Sequence, residues 1–171
     1  ALVIKNKNGR NSALKAIMYG GGQEREMRPG TLPVALIGGM GEAARLLQKE
    51  YRDNRKRYEA NRRTILEVLE NSGVQYQING DLALGMDNTL NISFTGYNSE
   101  ALMLMLQDKA LAGISNGSAC TSQSYAPSYV LQAMGLDEQR ISCAVRVSWG
   151  REIIQTELIK QITKIVKEWQ I

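Results

Sequence analysis

The chain has 171 residues, 43% of them hydrophobic and 22% charged, with a formal net charge of +4. That length and balance suit a globular domain with a real core and exclude a disordered tract, and no apolar run approaches the ~18 residues of a membrane helix. Two cysteines cannot build a disulfide framework, so a reducing, cytoplasmic setting is expected; the absence of histidine excludes a Ser-His-Asp or Cys-His apparatus within the chain and removes the commonest metal ligand.

The opening run Ala1-Leu2-Val3-Ile4 reads as a short strand, one that suggests a preceding part of a larger protein. Asn6-Lys7-Asn8-Gly9-Arg10 follows as a polar turn cluster, and Ala16-Ile17-Met18-Tyr19 reads as a second short strand. It runs into Gly20-Gly21-Gly22, where the backbone can approach a neighbouring group closely. The residues from Arg25 to Thr31 read as a loop with two arginines and a hydroxyl. From Pro33 to about Leu69 the spacing of Leu36, Ile37, Met40, Ala44, Leu47, Ile65, Leu66 and Leu69 predicts helix, with a break expected near Gly38, Gly39 and Gly41.

Asn71-Ser72-Gly73 is a helix stop, after which Val74–Ile78 and Thr89–Phe94 alternate like half-buried strands. Asn98-Ser99 caps a helix with Leu102, Met105 and Leu106 on one face. A short helix is expected near 128–134, then an alternating strand from Ala144 to Trp149. Thr156 is expected to cap a last amphipathic helix with the stripe Leu158, Ile159, Ile162, Ile165, Val166 and Trp169. Strands and helices interleave throughout, so the class is α/β or α+β, with helices layered on a mixed or antiparallel sheet.

Between Lys49 and Arg63 stand seven basic residues, Lys49, Arg52, Arg55, Lys56, Arg57, Arg62 and Arg63, against the acids Glu50, Asp53 and Glu59. A nucleic-acid reader would aim such a stripe at phosphates. The acids, however, fall at positions that allow helical ion pairs, which favours a solvated face.

Cys120 lies in Ser115-Asn116-Gly117-Ser118-Ala119-Cys120-Thr121-Ser122. Small polar neighbours keep a thiol accessible and can hydrogen-bond a sulfur anion, as a reacting cysteine needs. A loop cysteine without a role has the same neighbours available to it, and the octapeptide alone does not decide. Cys143 abuts Ala144-Val145 and reads as a packing residue.

Three segments in order carry a family resemblance: residues 20–33 (GGGQEREMRPGTLP), residues 115–121 (SNGSACT) and residues 145–151 (VRVSWGR). Together they closely resemble the IscS/NifS-type cysteine desulfurases, pyridoxal-phosphate enzymes of the class V aminotransferase group. The resemblance runs from Ala1 to near the C-terminus and includes Pro127-Ser128-Tyr129-Val130-Leu131. It implies the C-terminal part of an aminotransferase-like fold: the end of a cofactor domain over 1–32, a connecting helix over 33–70, and a small domain over 71–171.

The implied reaction takes sulfur from L-cysteine as a persulfide on Cys120, releases L-alanine and hands the sulfur to an acceptor protein serving iron–sulfur clusters, tRNA or DNA modification. Arg146 matches the arginine that grips the substrate carboxylate, a task suited to a guanidinium fork. On the residues alone, Arg146 also reads as an ordinary surface arginine. Thr31 matches a residue reaching the cofactor phosphate of the neighbouring subunit in a homodimer, and could equally cap the helix after it. The family's cofactor lysine, ring-stacking histidine and pyridine-nitrogen aspartate have no counterparts in this sequence, so the chain alone is expected to be inactive. A partner-binding domain without catalysis and a nucleic-acid-associated module using residues 49–63 are the competing readings; no membrane partner is expected.

Overall fold

The computed structural model describes residue 3 and residues 14–107, 114–116, 127–150 and 156–169. Apart from Val3, the strand expected at residues 1–4 lies outside the described residues. The chain divides into two compact units, Ala1–Lys49 and Glu50–Ile171.

In the first unit, the strand expected at Ala16-Ile17-Met18-Tyr19 is not formed; the segment is irregular, with Ile17 88% and Tyr19 86% exposed. Its apolar residues have no partner strand among the described residues, and an unpaired run gains nothing from extended geometry. A 3-10 turn, Gln23–Glu26, follows. Helix α1 spans Val34–Ser72, and the carbonyl of Pro33 accepts its first helical bond from the Ile37 N–H at 3.0 Å. The break expected at the glycines is absent: α1 is continuous through Gly38, Gly39 and Gly41, because the backbone ladder needs no side chain there. The apolar residues at helical spacing in its first half, among them Leu36, Met40 and Leu47, are exposed.

The second unit holds the sheet. α1 stops at Gly73, whose φ of +72° is open to glycine at little steric cost. The Ser72 hydroxyl donates to the Leu69 carbonyl and accepts from the Val74 N–H. Strands β1 (Tyr76–Ile78), β2 (Thr89–Phe94), β3 (Ile114–Ser115) and β4 (Ala144–Ser148) form one sheet in the order β1-β2-β4-β3, with every pairing antiparallel. Between them lie α2 (Ser99–Gln107), α3 (Tyr129–Ala133) and α4 (Glu138–Ser142), and α5 (Thr156–Trp169) closes the unit. Asn98 caps α2 as expected, its Oδ1 accepting from the N–H groups of Glu100 and Ala101. α4 was not expected; Asp137 caps it by accepting from the Arg140 N–H at 2.8 Å.

Period-two alternation sorts the strands by face. Leu90, Ile92 and Phe94 of β2 and Val145 and Val147 of β4 point one way. They pack with Ile65 and Leu69 of α1, Leu102 and Leu106 of α2, and Leu158, Ile159, Ile162 and Val166 of α5. The stripe read from the α5 sequence is this buried face, except that Trp169 is 64% exposed and meets Tyr97 edge-on at 6.5 Å. Thr156 is itself helical rather than a cap outside the helix, and its buried Oγ1 has no hydrogen-bond partner among the described residues. The opposite face carries Gln77, Thr89, Asn91, Ser93, Ala144, Arg146 and Ser148, the outward residues of the same strands. Part of it is covered where Leu131 of α3 and Ile141 of α4 cluster with Ala144. Among the described residues no helix is long and apolar enough to cross a membrane.

Candidate functional site

The polar face of the sheet gathers the chemistry. Arg146 lies mid-strand on β4 with its side chain exposed, between the buried Val145 and Val147. Its neighbours across the sheet are Asn91 on β2 and Ser115 on β3. Ser115 opens the octapeptide that contains Cys120, so the described start of that octapeptide stands beside Arg146. Cys120 itself lies outside the described residues.

A hydrogen-bonded network runs alongside. Asn79 is 8% exposed, and its amide Nδ2 donates to Asn91 Oδ1 at 2.6 Å and to Ser93 Oγ at 2.8 Å. Its Oδ1 accepts from Arg140 Nε at 2.7 Å, and the Arg140 guanidinium donates again to the Ile78 carbonyl at 2.9 Å. Ser93 in turn donates to the Arg140 carbonyl at 2.8 Å. Residues from β1's end, β2 and α4 are thus tied together, across gaps of up to 62 positions in sequence. A cavity of about 400 Å³ opens here, lined by Asn79, Asn91, Thr89, Arg62, Met86 and Met134 among others. None of these network residues stood out in the sequence, where Asn91 and Ser93 are simply part of the alternating run Thr89–Phe94.

Cys143 sits beside this network, 6% exposed, with its Sγ donating to the Arg140 carbonyl at 3.4 Å. Burial pushes its thiol pKa up, against a smaller opposing pull from a hydrogen bond with Ser93. A buried thiol that resists ionisation is a poor nucleophile, as the packing reading requires.

Thr31 is exposed in the loop before α1 and belongs to the first unit. The Gly30 N–H donates to Gln23 Oε1 at 3.1 Å across this loop, and Gly30 itself has a φ of +108°. Just upstream, Glu24, Arg25 and Glu26 all have positive φ, between 49° and 65°. Consecutive non-glycine residues in that region cost about 1–2 kcal/mol each, so the segment before Thr31 stores local strain.

The basic stretch is partly taken up by ion pairs. Arg55 meets Glu59 at 3.2 Å and Asp87 at 2.8 Å, and Arg62 meets Asp87 at 3.3 Å. Arg62 also donates to the Leu82 carbonyl. Of the pairs the spacing allowed, Arg55–Glu59 is formed, and Asp87 from the loop before β2 adds a partner for Arg55 and Arg62.

The sequence profile of the aminotransferase class-V family matches residues 11–159. The chain belongs to the aminotransferase class-V family. This class-V chain is 43% identical over 152 residues to cysteine desulfurase IscS of Photobacterium profundum, an overlap covering 89% of the chain and 37% of that relative. A solved structure described as a NifS-like protein superimposes with a TM-score of 0.70 at 27% identity, covering 91% of this chain and 38% of the other. SspA, solved in complex with cysteine, gives a TM-score of 0.56 at 30% identity over 84% of this chain and 38% of that one. The class-V chain therefore spans little more than a third of the length of such relatives.

Class-V aminotransferases generally work with pyridoxal phosphate, which is held as an imine on a lysine. Six lysines are among the described residues of this class-V chain: Lys15, Lys49, Lys56, Lys160, Lys164 and Lys167. All are exposed, and all but Lys15 stand on the outer faces of helices. An imine-forming lysine is held desolvated against its cofactor, so none of these fits that end of a cofactor site. What the described residues do offer is the exposed guanidinium of Arg146 on the polar face of the sheet.

Proposed function

We propose that the intact protein is a cysteine desulfurase and that this chain supplies its sulfur-carrying cysteine and its substrate-carboxylate grip. The observation that carries the reading is the pairing of Ser115 with Arg146. Cys120 follows Ser115 by five residues, and a chain advances at most ~3.3–3.6 Å per residue, so its α-carbon stays within about 18 Å of the sheet beside Arg146. That chain length is enough for Cys120 to meet a substrate held at Arg146.

In this reading Arg146 binds the carboxylate of L-cysteine through two parallel donors. The thiolate of Cys120 attacks the substrate sulfur, which passes to it as a persulfide, and the remaining three-carbon amino acid leaves as L-alanine. The electron sink is chemistry of pyridoxal phosphate, which the residues described here do not themselves hold. Thr31, an exposed hydroxyl in a glycine-bounded loop, would reach the phosphate of the cofactor held by the second subunit of a homodimer. A sulfur-acceptor protein of an iron–sulfur, tRNA or DNA modification pathway takes the persulfide sulfur.

The test is to supply the intact protein with pyridoxal phosphate and L-cysteine, quantify L-alanine, and trap persulfide by alkylation and mass spectrometry. Persulfide on Cys120, abolished by Cys120→Ser with cofactor binding retained, is the expected result. Persulfide on Cys143, or alanine production undiminished by Cys120→Ser, overturns the assignment.

A further inference from the structure

The neighbour of Arg146 on β2 has the geometry of a second carboxylate donor. The ladder between β2 and β4 is fixed by the bonds Phe94 N–H to Cys143 O and Trp149 N–H to Asn88 O, both 3.1 Å. These mark the hydrogen-bonded positions of an antiparallel pair, and such positions alternate with non-hydrogen-bonded ones. Counting inward from either bond puts Asn91 and Arg146 at a non-hydrogen-bonded pair, where the two side chains stand closest, with β-carbons roughly 4.5–5.5 Å apart.

The amide of Asn91 is oriented. Its Oδ1 accepts the 2.6 Å bond from Asn79, and Asn79 is itself held by Arg140 and Ser93. An asparagine amide has one acceptor end and one end with two N–H donors, so fixing the acceptor fixes the donors. The Asn91 Nδ2 group donates to nothing among the described residues, and the Arg146 guanidinium beside it likewise has no anion partner among them. The structure thus sets an uncharged donor and a guanidinium fork side by side on one face of the sheet, with Asn91 also lining the cavity. Two adjacent donor groups of that kind match the two oxygens of a single carboxylate.

We propose that Asn91 is a substrate-binding residue that hydrogen-bonds the carboxylate of the amino-acid substrate together with Arg146, its amide held in orientation by Asn79. The proposal rests on the reading of Arg146 as the carboxylate grip. It assigns the network under Asn91 a purpose: a rotatable amide would present its carbonyl oxygen to the anion about as readily as its N–H groups, and the Asn79 bond forbids that.

The experiment uses the intact, cofactor-loaded protein. Two variants, Asn91→Ala and Asn91→Asp, are compared with wild type for the KM and kcat of L-cysteine and for inhibition by cysteamine, which has the amine and thiol but no carboxylate. Asn91→Ala should raise KM for L-cysteine by about ten- to a hundredfold, the effect of one hydrogen bond to a charged group, while leaving the Ki of cysteamine unchanged. Asn91→Asp keeps an oxygen to accept the Asn79 bond, so it preserves the fold, yet it opposes the substrate carboxylate with a like charge; its KM should rise further.

If Asn91 only held the network together, Asn91→Asp would match wild type in KM, and that result overturns the proposal. So does equal weakening of L-cysteine and cysteamine. A crystal structure of the wild-type protein with L-alanine bound covers the case in which both variants misfold: Asn91 Nδ2 at hydrogen-bond distance from the carboxylate supports the proposal, and its absence from that shell ends it. Wild-type protein that makes no alanine from L-cysteine takes down the desulfurase reading as well, whereas an active wild type sensitive to Arg146→Lys but indifferent to Asn91 takes down this inference alone.

Discussion

Replacing Asn79 by alanine should destabilise the second unit by about 2–4 kcal/mol. The side chain is 8% exposed and makes three hydrogen bonds, donating at 2.6 and 2.8 Å and accepting from the Arg140 guanidinium at 2.7 Å. Neutral bonds contribute roughly 1 kcal/mol each and a bond to a charged group about 1.5–3 kcal/mol, and the three share partners, so their losses do not simply add. Arg140 is half-buried and keeps its bond to the Ile78 carbonyl, so water and that carbonyl soften the loss on its side. Asn79→Asp keeps the acceptor for Arg140 and loses both donors, and should fall between alanine and wild type. Urea unfolding followed by the fluorescence of the buried Trp149 measures this directly. With a urea slope of about 2 kcal/mol per molar, the midpoint should drop by roughly 1–2 M in the alanine variant. A midpoint within about 0.3 M of wild type at unchanged slope would refute the argument that these bonds are made in a desolvated setting.

In the intact enzyme, Arg146→Lys should lower kcat/KM for L-cysteine by about tenfold or more although charge is kept, because one ammonium cannot reproduce a two-pronged contact; steady-state kinetics checks it. Cys143 should alkylate slowly in the folded protein and rapidly in urea, as followed by mass spectrometry. Its folded pKa is raised by burial, so its contribution to stability is full below the ordinary thiol value near 9 and is lost as pH climbs through the raised value. Stability measured from pH 8 to 10 should therefore fall less steeply in Cys143→Ala than in wild type; parallel curves would contradict the buried-thiol account. Gly73→Ala should cost about 1 kcal/mol in urea unfolding, because the α1 stop needs a φ of +72°.

How much of this could be read from the sequence depended on the range of the signal. β2, the buried stripe of α5 as far as Val166, and the Asn98 cap follow from local alternation, helical spacing and an Asx cap. The run Ala16–Tyr19 failed because apolar content alone does not make a strand; it needs a partner to pair with. α4 had a legible signal that went unused, Asp137 followed by Glu138 in the first turn. Arg146 was singled out through family resemblance, since an arginine between two valines on an alternating strand is chemically ordinary. Asn79, Asn91 and Arg140 were invisible for a different reason. Their meaning lies in contacts 12 and 61 positions apart and in the direction of an amide, neither of which leaves a local pattern.

One outer strand of the sheet, β1, is only Tyr76–Ile78, and it is bracketed by Gly73 and Gly80, both at positive φ. A visiting peptide that tried to extend the sheet there would find at most a few free backbone groups before the chain turned away at each end. Strand addition, the usual route by which exposed β edges recruit partners or seed aggregates, is thereby starved of ladder at this edge. A partner meeting the molecule at this edge would find side chains and turns rather than open ladder, and misassembly through β1 is limited by the same two glycines.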